Sequence, residues 1–194
     1  MNLLAFCFLL SALPFVNYCE GFFSYNFFRD YPNFHYVETG SSGGGSIARA
    51  LDAQCFRFVH SIDLDPHSIE VCRKQFEWQR RVFIYEGDSG TELWRIIEKI
   101  ATPITFFLDA HRYPPVRDGM KNTPLLEEIA QIALHPVKTH TILIDDVPCF
   151  GTEAFDFITQ EDVMQKIVEI NPDYQFQILW NQVLAATVRP RPKH

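Results

Sequence analysis

Short apolar runs alternate with amphipathic stretches along most of the chain, and this alternation predicts a repeating order of strands and helices. Five apolar runs predict strands, at 34–37, 56–63, 81–85, 104–108 and 141–144. Apolar residues spaced three or four positions apart predict the helices that follow them, at 46–51, 66–78, 91–100, 124–134 and 160–169. Two final runs, 174–180 and 183–189, meet at Asn181-Gln182 and predict a terminal hairpin.

The fold class follows from this order. Strands that alternate with helices through short connections predict an α/β fold, in which a mostly parallel sheet is covered by helices on both faces. Asp65 and Thr123 each stand directly before a proline, as N-caps do when proline occupies the first helical position. One domain, from residue 34 to 190, accounts for all of these elements.

A glycine-rich turn follows the first predicted strand. Glycines at 40, 43, 44 and 45 separate that strand from a helix that begins at Ser46. Glycines let a ligand approach the backbone closely, and a helix N-terminus offers unpaired N–H groups, so this order is typical of a nucleotide site. The sequence lacks the Gly-Lys-Ser/Thr of a P-loop, and Glu38 would repel a pyrophosphate but attract a sulfonium or ammonium group. The alternative is a flexible surface loop.

Each of the first five predicted strands ends in an acidic residue. These residues are Glu38, Asp63, Asp88, Asp109 and Asp145. In folds of this class, ligands bind at the carboxyl ends of the strands. Any one of these acids is explained equally well as a helix cap or a loop residue, but five on the same edge indicate a ligand-binding edge.

Composition narrows the class of protein further. The 194 residues suffice for one domain, and the apolar content of 47% is ordinary for a soluble globular protein. The net charge of -7 disfavours nucleic acid as a partner. The five cysteines include no Cys-x-x-Cys pair, which indicates neither a zinc site nor a disulfide framework.

An uncharged apolar run occupies residues 3–16, ahead of the predicted domain. It is short for a membrane span and has the length of the apolar region of a signal peptide. We therefore interpret 1–20 as a signal peptide or N-terminal anchor, with membrane association through 3–16, and 21–33 as a connector. The protein would then be secreted or membrane-anchored. The alternative is an N-terminal helix that packs on a cytoplasmic domain.

The ordered motifs resemble those of class I S-adenosylmethionine-dependent methyltransferases, from about Phe34 to Arg189. Val-Glu-Thr-Gly-Ser-Ser-Gly-Gly-Gly is similar to their first motif, which holds the methionine part and the ribose. Ser-Ile-Asp-Leu-Asp-Pro and Glu-Gly-Asp-Ser are similar to the second and third, which implies that Asp63 binds the ribose hydroxyls and that Asp88 lies near the adenine amine. The resemblance implies a Rossmann-like, doubly wound, seven-stranded sheet with an antiparallel last strand. The cofactor-binding residues that it implies are Glu38, Thr39, Gly40, Ser41, Gly43, Gly44, Ser46, Asp63, Asp88, Ser89 and Asp109.

A narrower resemblance concerns the ends of the fourth and fifth strands. Phe-Phe-Leu-Asp-Ala-His and Ile-Leu-Ile-Asp-Asp are similar to the metal-binding pair of cation-dependent O-methyltransferases of the catechol and macrocin type. This implies that Asp109, Asp145 and Asp146 bind Mg²⁺, an ion that prefers oxygen ligands. The alternative for the Asp145-Asp146 pair is that it ends a strand and caps a turn.

The resemblance fails at the catalytic base. Catechol-type enzymes carry a lysine three residues after the first metal-binding aspartate, and this chain has Arg112 there. Arginine keeps its proton in proteins, whereas imidazole titrates near neutrality, so His111 is the candidate base. A hydrogen-bonded structural histidine is the alternative.

Two functions follow from this sequence. The first is methyl transfer from S-adenosylmethionine to an oxygen of a small molecule, assisted by Mg²⁺. The second is a non-catalytic, exported or membrane-anchored binding protein on a methyltransferase fold, because fold alone does not establish function. Binding without turnover would favour the second.

Overall fold

The structure is a computed structural model that describes residues 27–116 and 119–188. The signal peptide or anchor predicted over 1–20 and the apolar run 3–16 lie outside the described residues. In the part of the chain that is described, no helix combines the length and the apolar character that crossing a bilayer requires.

Seven strands and five α-helices alternate as the hydrophobic pattern predicts. The strands are β1 (His35–Thr39), β2 (Phe58–Asp63), β3 (Val82–Glu86), β4 (Ile104–Leu108), β5 (Thr141–Ile144), β6 (Tyr174–Leu179) and β7 (Val183–Val188). The helices are α1 (Gly45–Ala53), α2 (Pro66–Gln75), α3 (Ser89–Ile97), α4 (Leu125–Leu134) and α5 (Gln160–Ile170). Short 3-10 turns span Phe27–Asp30, Val147–Cys149 and Glu153–Phe155.

Side-chain caps set the starts of several helices. Asp65 caps α2 by accepting from the backbone N–H groups of His67 and Ser68, as its place before a proline predicts. Asp88 accepts from the backbone of Gly90, and α3 therefore begins at Ser89, two residues earlier than its apolar spacing indicates. Pro124 takes the N-cap position of α4, so this helix begins one residue later than predicted.

The sheet is doubly wound, with the strand order β3-β2-β1-β4-β5-β7-β6. Strands β1 to β5 are parallel, and β7, the last strand of the chain, runs antiparallel to both β5 and β6. The mostly parallel seven-stranded sheet with a reversed last strand is therefore confirmed. The strand order changes direction between β1 and β4, which is where doubly wound folds leave a crevice for ligands.

Two hydrophobic cores cover the two faces of the sheet. One is formed with α3, α4 and α5, and it includes Leu93, Ile129 and Val163. The other is formed with α1 and α2, and it includes Ile47 and Cys72. Successive residues of a strand point to opposite faces of the sheet. Because helices cover both faces, every residue of β4 is buried.

The segment before β1 contributes to the second core. Phe27 and Phe28 are almost completely buried, although they lie in the stretch interpreted from sequence as a connector. The ring of Phe28 packs edge-on against Tyr36, 5.0 Å between centroids, and against Phe107 at 5.5 Å. Residues 27–30 therefore cover part of the same face of the sheet as α1 and α2.

Candidate functional site at the carboxyl edge

The glycine turn and the acidic strand ends meet at the carboxyl edge of the sheet, around the change of strand order. Register places Glu38 of β1 beside Ser61 of β2 on one side and Phe107 of β4 on the other. The residues that follow these strands are therefore neighbours in space.

At two positions of the turn, only glycine fits the backbone conformation and the available space. Gly40 has φ +84°, and a Cβ on it would lie 2.7 Å from the carbonyl oxygen of Asp109. Gly44 has φ +78°, and its Cβ would lie 2.7 Å from the ring of Phe76. Gly43 is exposed and nothing approaches within 4 Å of a Cβ built on it. The turn is therefore tightly packed on its inner side and open on its outer side, beside the first residues of α1, which include Ser46.

The carboxylate of Asp63 binds the backbone of this turn. Its Oδ2 accepts from the N–H groups of Ser41, at 2.7 Å, and Ser42, at 3.0 Å. Its Oδ1 accepts from the N–H of Asp65 at 2.8 Å. The acid at the end of β2 thus holds the glycine turn in shape and lies directly beside it.

Glu38 lies beneath the turn and is fully buried. Tyr36 donates to one carboxylate oxygen at 2.8 Å, and Ser61 donates to the other at 2.6 Å. Burial raises the pKa of Glu38 to about 7, despite these hydrogen bonds and one from Ser46. Its neighbour Thr39 is also buried, and the Thr39 carbonyl accepts from the N–H of Asp109 at 3.1 Å.

Asp88 and Ser89 lie where β3 passes into α3. Ser89 contacts Glu128, a residue that the sequence did not indicate as part of the site. The hydroxyl of Ser89 donates to Glu128 at 2.5 Å. Glu128, on α4, is 1% exposed, and its second oxygen has no hydrogen-bond partner of normal geometry among the described residues. Burial raises the pKa of Glu128 to about 7. In sequence it is one of two glutamates in the first turn of a helix, where acids are common, so it carries no distinctive signal.

Three potential metal ligands converge after β4 and β5. One ligand atom from each of Asp109, His111 and Asp146 lies within 4.8 Å of the other two. The His111 Nδ1 is 3.5 Å from Asp146 Oδ2 and 3.9 Å from Asp109 Oδ1. Burial, followed by the charges of Asp145 and Asp146, raises the pKa of Asp109 well above its usual range. The sequence grouped Asp109 with both Asp145 and Asp146, whereas the converging ligand atoms are those of Asp109, His111 and Asp146.

Asp145 faces a different partner. Its Oδ1 accepts from Gln182 at 2.8 Å and from the backbone N–H of Asp146 at 2.7 Å, and it is not one of the converging ligand atoms. Gln182 also donates to Oδ1 of Asp146 at 2.8 Å, which leaves the Oδ2 of Asp146 facing His111. Burial and the neighbouring charge of Asp146 raise the pKa of Asp145 to about 6.

The two long loops beside this cluster are joined to each other. Asp156 accepts from the backbone N–H groups of Asn122, at 2.8 Å, and Thr123, at 3.2 Å, and also from the Asn122 side chain. Phe155, next to this contact, packs on the ring of His111 with 5.5 Å between centroids. The loops after β4 and β5 therefore form one wall next to His111, which the sequence did not predict.

The arrangement fits the two groups that the resemblance implies. The outer side of the glycine turn and the start of α1 offer open backbone to a ligand, next to Asp63. Carboxylate oxygens from two strand ends and a buried imidazole nitrogen that has no hydrogen-bond partner in residues 27–116 and 119–188 are a donor set suited to a divalent cation.

Comparison of the sequence identifies no family. No protein-family profile matches it, and no curated protein is significantly similar to it.

Solved structures of methyltransferases have a similar fold. An O-methyltransferase from Bacillus cereus in complex with SAH is 15% identical and aligns with a TM-score of 0.59, over 85% of this chain and 78% of that one. A methyltransferase from Geobacter sulfurreducens is 16% identical, with a TM-score of 0.54 over 84% and 75% of the two chains. An rRNA methylase from Streptococcus thermophilus is 12% identical, with a TM-score of 0.54 over 85% and 94%. The chain therefore has the class I methyltransferase fold, shared with enzymes whose acceptors differ.

Proposed function

We propose that this protein is an S-adenosylmethionine-dependent methyltransferase that methylates an oxygen of a small molecule. One observation carries the proposal: the glycine turn held by Asp63 lies next to the cluster of Asp109, His111 and Asp146, at the change of strand order. A donor on the turn would then face an acceptor at the cluster.

The chain's own residues account for donor binding. S-adenosylmethionine supplies, when bound, a methyl group on a positively charged sulfur. The open side of the turn would receive its methionine and ribose parts, with Asp63 beside the ribose hydroxyls and Asp88 toward the adenine. Burial raises the pKa of Glu38 and Asp109. A cationic ligand beside these two carboxyl groups would stabilise their charged forms and would in turn be attracted by them.

The acceptor hydroxyl must lose its proton, and two arrangements of the same residues would allow this. In the first, His111 accepts the proton, with Asp146 orienting the ring. In the second, Asp109 and Asp146 hold a divalent cation such as Mg²⁺, which lowers the pKa of a hydroxyl beside it. Both require the acceptor to lie at this cluster, aligned with the donor.

A small molecule is favoured over nucleic acid as the acceptor. The net charge of -7 opposes binding to a phosphate backbone. The wall formed by the Asn122–Asp156 contact and by Phe155 encloses one side of the cluster, as expected for a pocket.

Isothermal titration calorimetry with SAH tests the proposal most directly. We expect one site per chain, competition between SAH and S-adenosylmethionine, and no change in affinity when the exposed Glu77 is replaced by alanine as a control. If neither compound binds, the methyltransferase proposal is wrong. If both bind but no SAH is released with a panel of catechols, phenols and sugars, the non-catalytic alternative is favoured.

A further inference from the structure

We infer that His111 is a direct ligand of a divalent metal ion, bound through Nδ1 together with carboxylate oxygens of Asp109 and Asp146. The ion is one that accepts nitrogen, of the Mn²⁺, Fe²⁺ or Co²⁺ kind, in preference to Mg²⁺. The inference rests on the proposed function only for the site's location, and it assigns His111 a role different from that of a base.

The distances around His111 fit a shared ion better than a hydrogen bond. Its Nδ1 lies 3.5 Å from Asp146 and 3.9 Å from Asp109, and both separations are too long for a hydrogen bond. Two ligands on one ion with bonds of about 2.1–2.2 Å lie about 3.0 Å apart when adjacent and about 4.3 Å apart when opposite. The observed separations lie between these two values.

No hydrogen bond within the described residues accounts for the buried Nδ1 of His111. This nitrogen is fully buried and has no hydrogen-bond partner among the described residues. A buried polar atom without a partner destabilises a protein, so such an atom in a native fold calls for an explanation, and a bound ion would provide one. The ring of Phe155 packs on the imidazole, with 5.5 Å between centroids, and Nδ1 faces the two carboxylates.

Neighbouring side chains orient the carboxylates and add negative charge. Gln182 holds Oδ1 of Asp146, which directs Oδ2 toward His111. This is the kind of supporting hydrogen bond that metal ligands usually have. A second, independent sign is Glu128, which is 99% buried and lies near enough to raise the pKa of Asp109. Within the described part of the chain, one of its carboxylate oxygens has no hydrogen-bond partner of normal geometry. A cation at the cluster would compensate this concentration of carboxylates.

The donor set predicts which ion is preferred. Mg²⁺ prefers oxygen ligands throughout, whereas imidazole suits the first-row transition metals. One nitrogen with two carboxylates therefore favours Mn²⁺, Fe²⁺ or Co²⁺, and Mg²⁺ should compete only in large excess.

The test uses the full chain, stripped of metal with a chelator, and Mn²⁺ alone as the probe. Pulsed electron paramagnetic resonance of bound Mn²⁺ should show coupling to one imidazole nitrogen, and this coupling should vanish in His111→Ala. Loss of even an outer-shell partner weakens metal binding about 10–100-fold, so His111→Ala should raise the Kd for Mn²⁺ at least about ten-fold. His67→Ala, which removes an exposed histidine on α2, is the control and should change neither result.

Each other outcome overturns the inference. Mn²⁺ that binds without nitrogen coupling, or equally tightly to His111→Ala, would show that His111 is not a ligand, as would the absence of Mn²⁺ binding. SAH titration of the same samples separates this failure from that of the proposed function, because a protein that binds SAH but no metal keeps the methyltransferase proposal. Thermal unfolding of His111→Ala in chelator shows whether the variant is folded. If it is not, His111→Gln replaces it with the same expected loss of nitrogen coupling.

Discussion

Gly40 packs directly on the backbone of Asp109, so that a Cβ added to the glycine would lie 2.7 Å from the aspartate's carbonyl oxygen. This contact joins the glycine turn to the end of β4, and hence the proposed donor site to the metal-ligand cluster. The φ of +84° at Gly40 is a second reason why no side chain is tolerated there.

Gly40→Ala should therefore lower the free energy of unfolding by about 2 kcal/mol or more, because strain at positive φ adds to the clash. Gly43→Ala is the matched control, since its Cβ meets nothing within 4 Å. It should change stability by less than about 0.5 kcal/mol. Urea unfolding of the two variants measures the difference, and equal stabilities would contradict the packing described for Gly40.

Asp63→Ala should weaken SAH binding by about 1–3 kcal/mol, the scale for removing a partner from buried polar groups. The reason is twofold: the variant loses the proposed ribose contact and frees the N–H groups of Ser41 and Ser42. Asp65→Ala removes only the N-cap of α2, so it should lower stability by about 1 kcal/mol and leave SAH affinity unchanged. Calorimetry of both variants gives the answer, and an unchanged affinity in Asp63→Ala would remove this residue from the site.

Glu128→Gln should change how stability depends on pH. The pKa of Glu128 is about 7 in the folded protein against an ordinary value of 4.5, so the folded state holds more protons between these pH values. The stabilising contribution of the protonated carboxyl is complete below pH 4.5 and is lost as pH rises through 7. Glutamine stays neutral, so between pH 5 and pH 8 the free energy of unfolding of the variant should rise by up to about 3 kcal/mol relative to that of the wild type.

Urea unfolding of both proteins across this pH range, in chelator, measures the effect. Glu127→Gln, one residue earlier on the same helix, is the control. Parallel pH profiles for Glu128→Gln and the wild type would show that Glu128 is not protonated in the fold.

A chain that begins at Gly21 should fold cooperatively, because it retains all seven strands of the described sheet together with the buried Phe27 and Phe28. Phe28→Ala in that chain should lower stability by about 3–5 kcal/mol, since the ring is 1% exposed and packs on Tyr36 and Phe107. Circular dichroism during thermal unfolding compares the stability of the shortened chain with that of its Phe28→Ala variant. If the shortened chain aggregates or melts without a transition, residues 1–20 belong to the core.

Asp146→Asn should weaken Mn²⁺ binding more than Asp145→Asn, because Asp146 Oδ2 faces His111 while Asp145 Oδ1 is bonded to Gln182. SAH affinity should stay nearly the same in both variants. Metal titration followed by SAH titration tests this order, and a larger effect at Asp145 would restore the ligand set expected from the sequence.

Local pattern alone determined the order of strands and helices, the mostly parallel sheet covered on both faces and the terminal hairpin. Apolar runs and helical spacing depend on which faces of each element are buried, and that information lies within a few neighbouring residues. The alternation of strands and helices then placed Glu38, Asp63, Asp88, Asp109 and Asp145 at one edge, since parallel strands end on the same side. The cap at Asp65 could be predicted for the same reason, because its partners are only two and three residues away.

Only the tertiary structure decided which side chains meet at that edge. His111 lies 35 positions from Asp146 and Glu128 lies 39 positions from Ser89, and no periodicity relates residues so far apart. The structure also turned Asp145 toward Gln182, a residue of the terminal hairpin, and joined two loops through Asn122 and Asp156. Such contacts depend on the order and register of the strands and on the packing of loops, which are set by the whole chain and not by its local sequence.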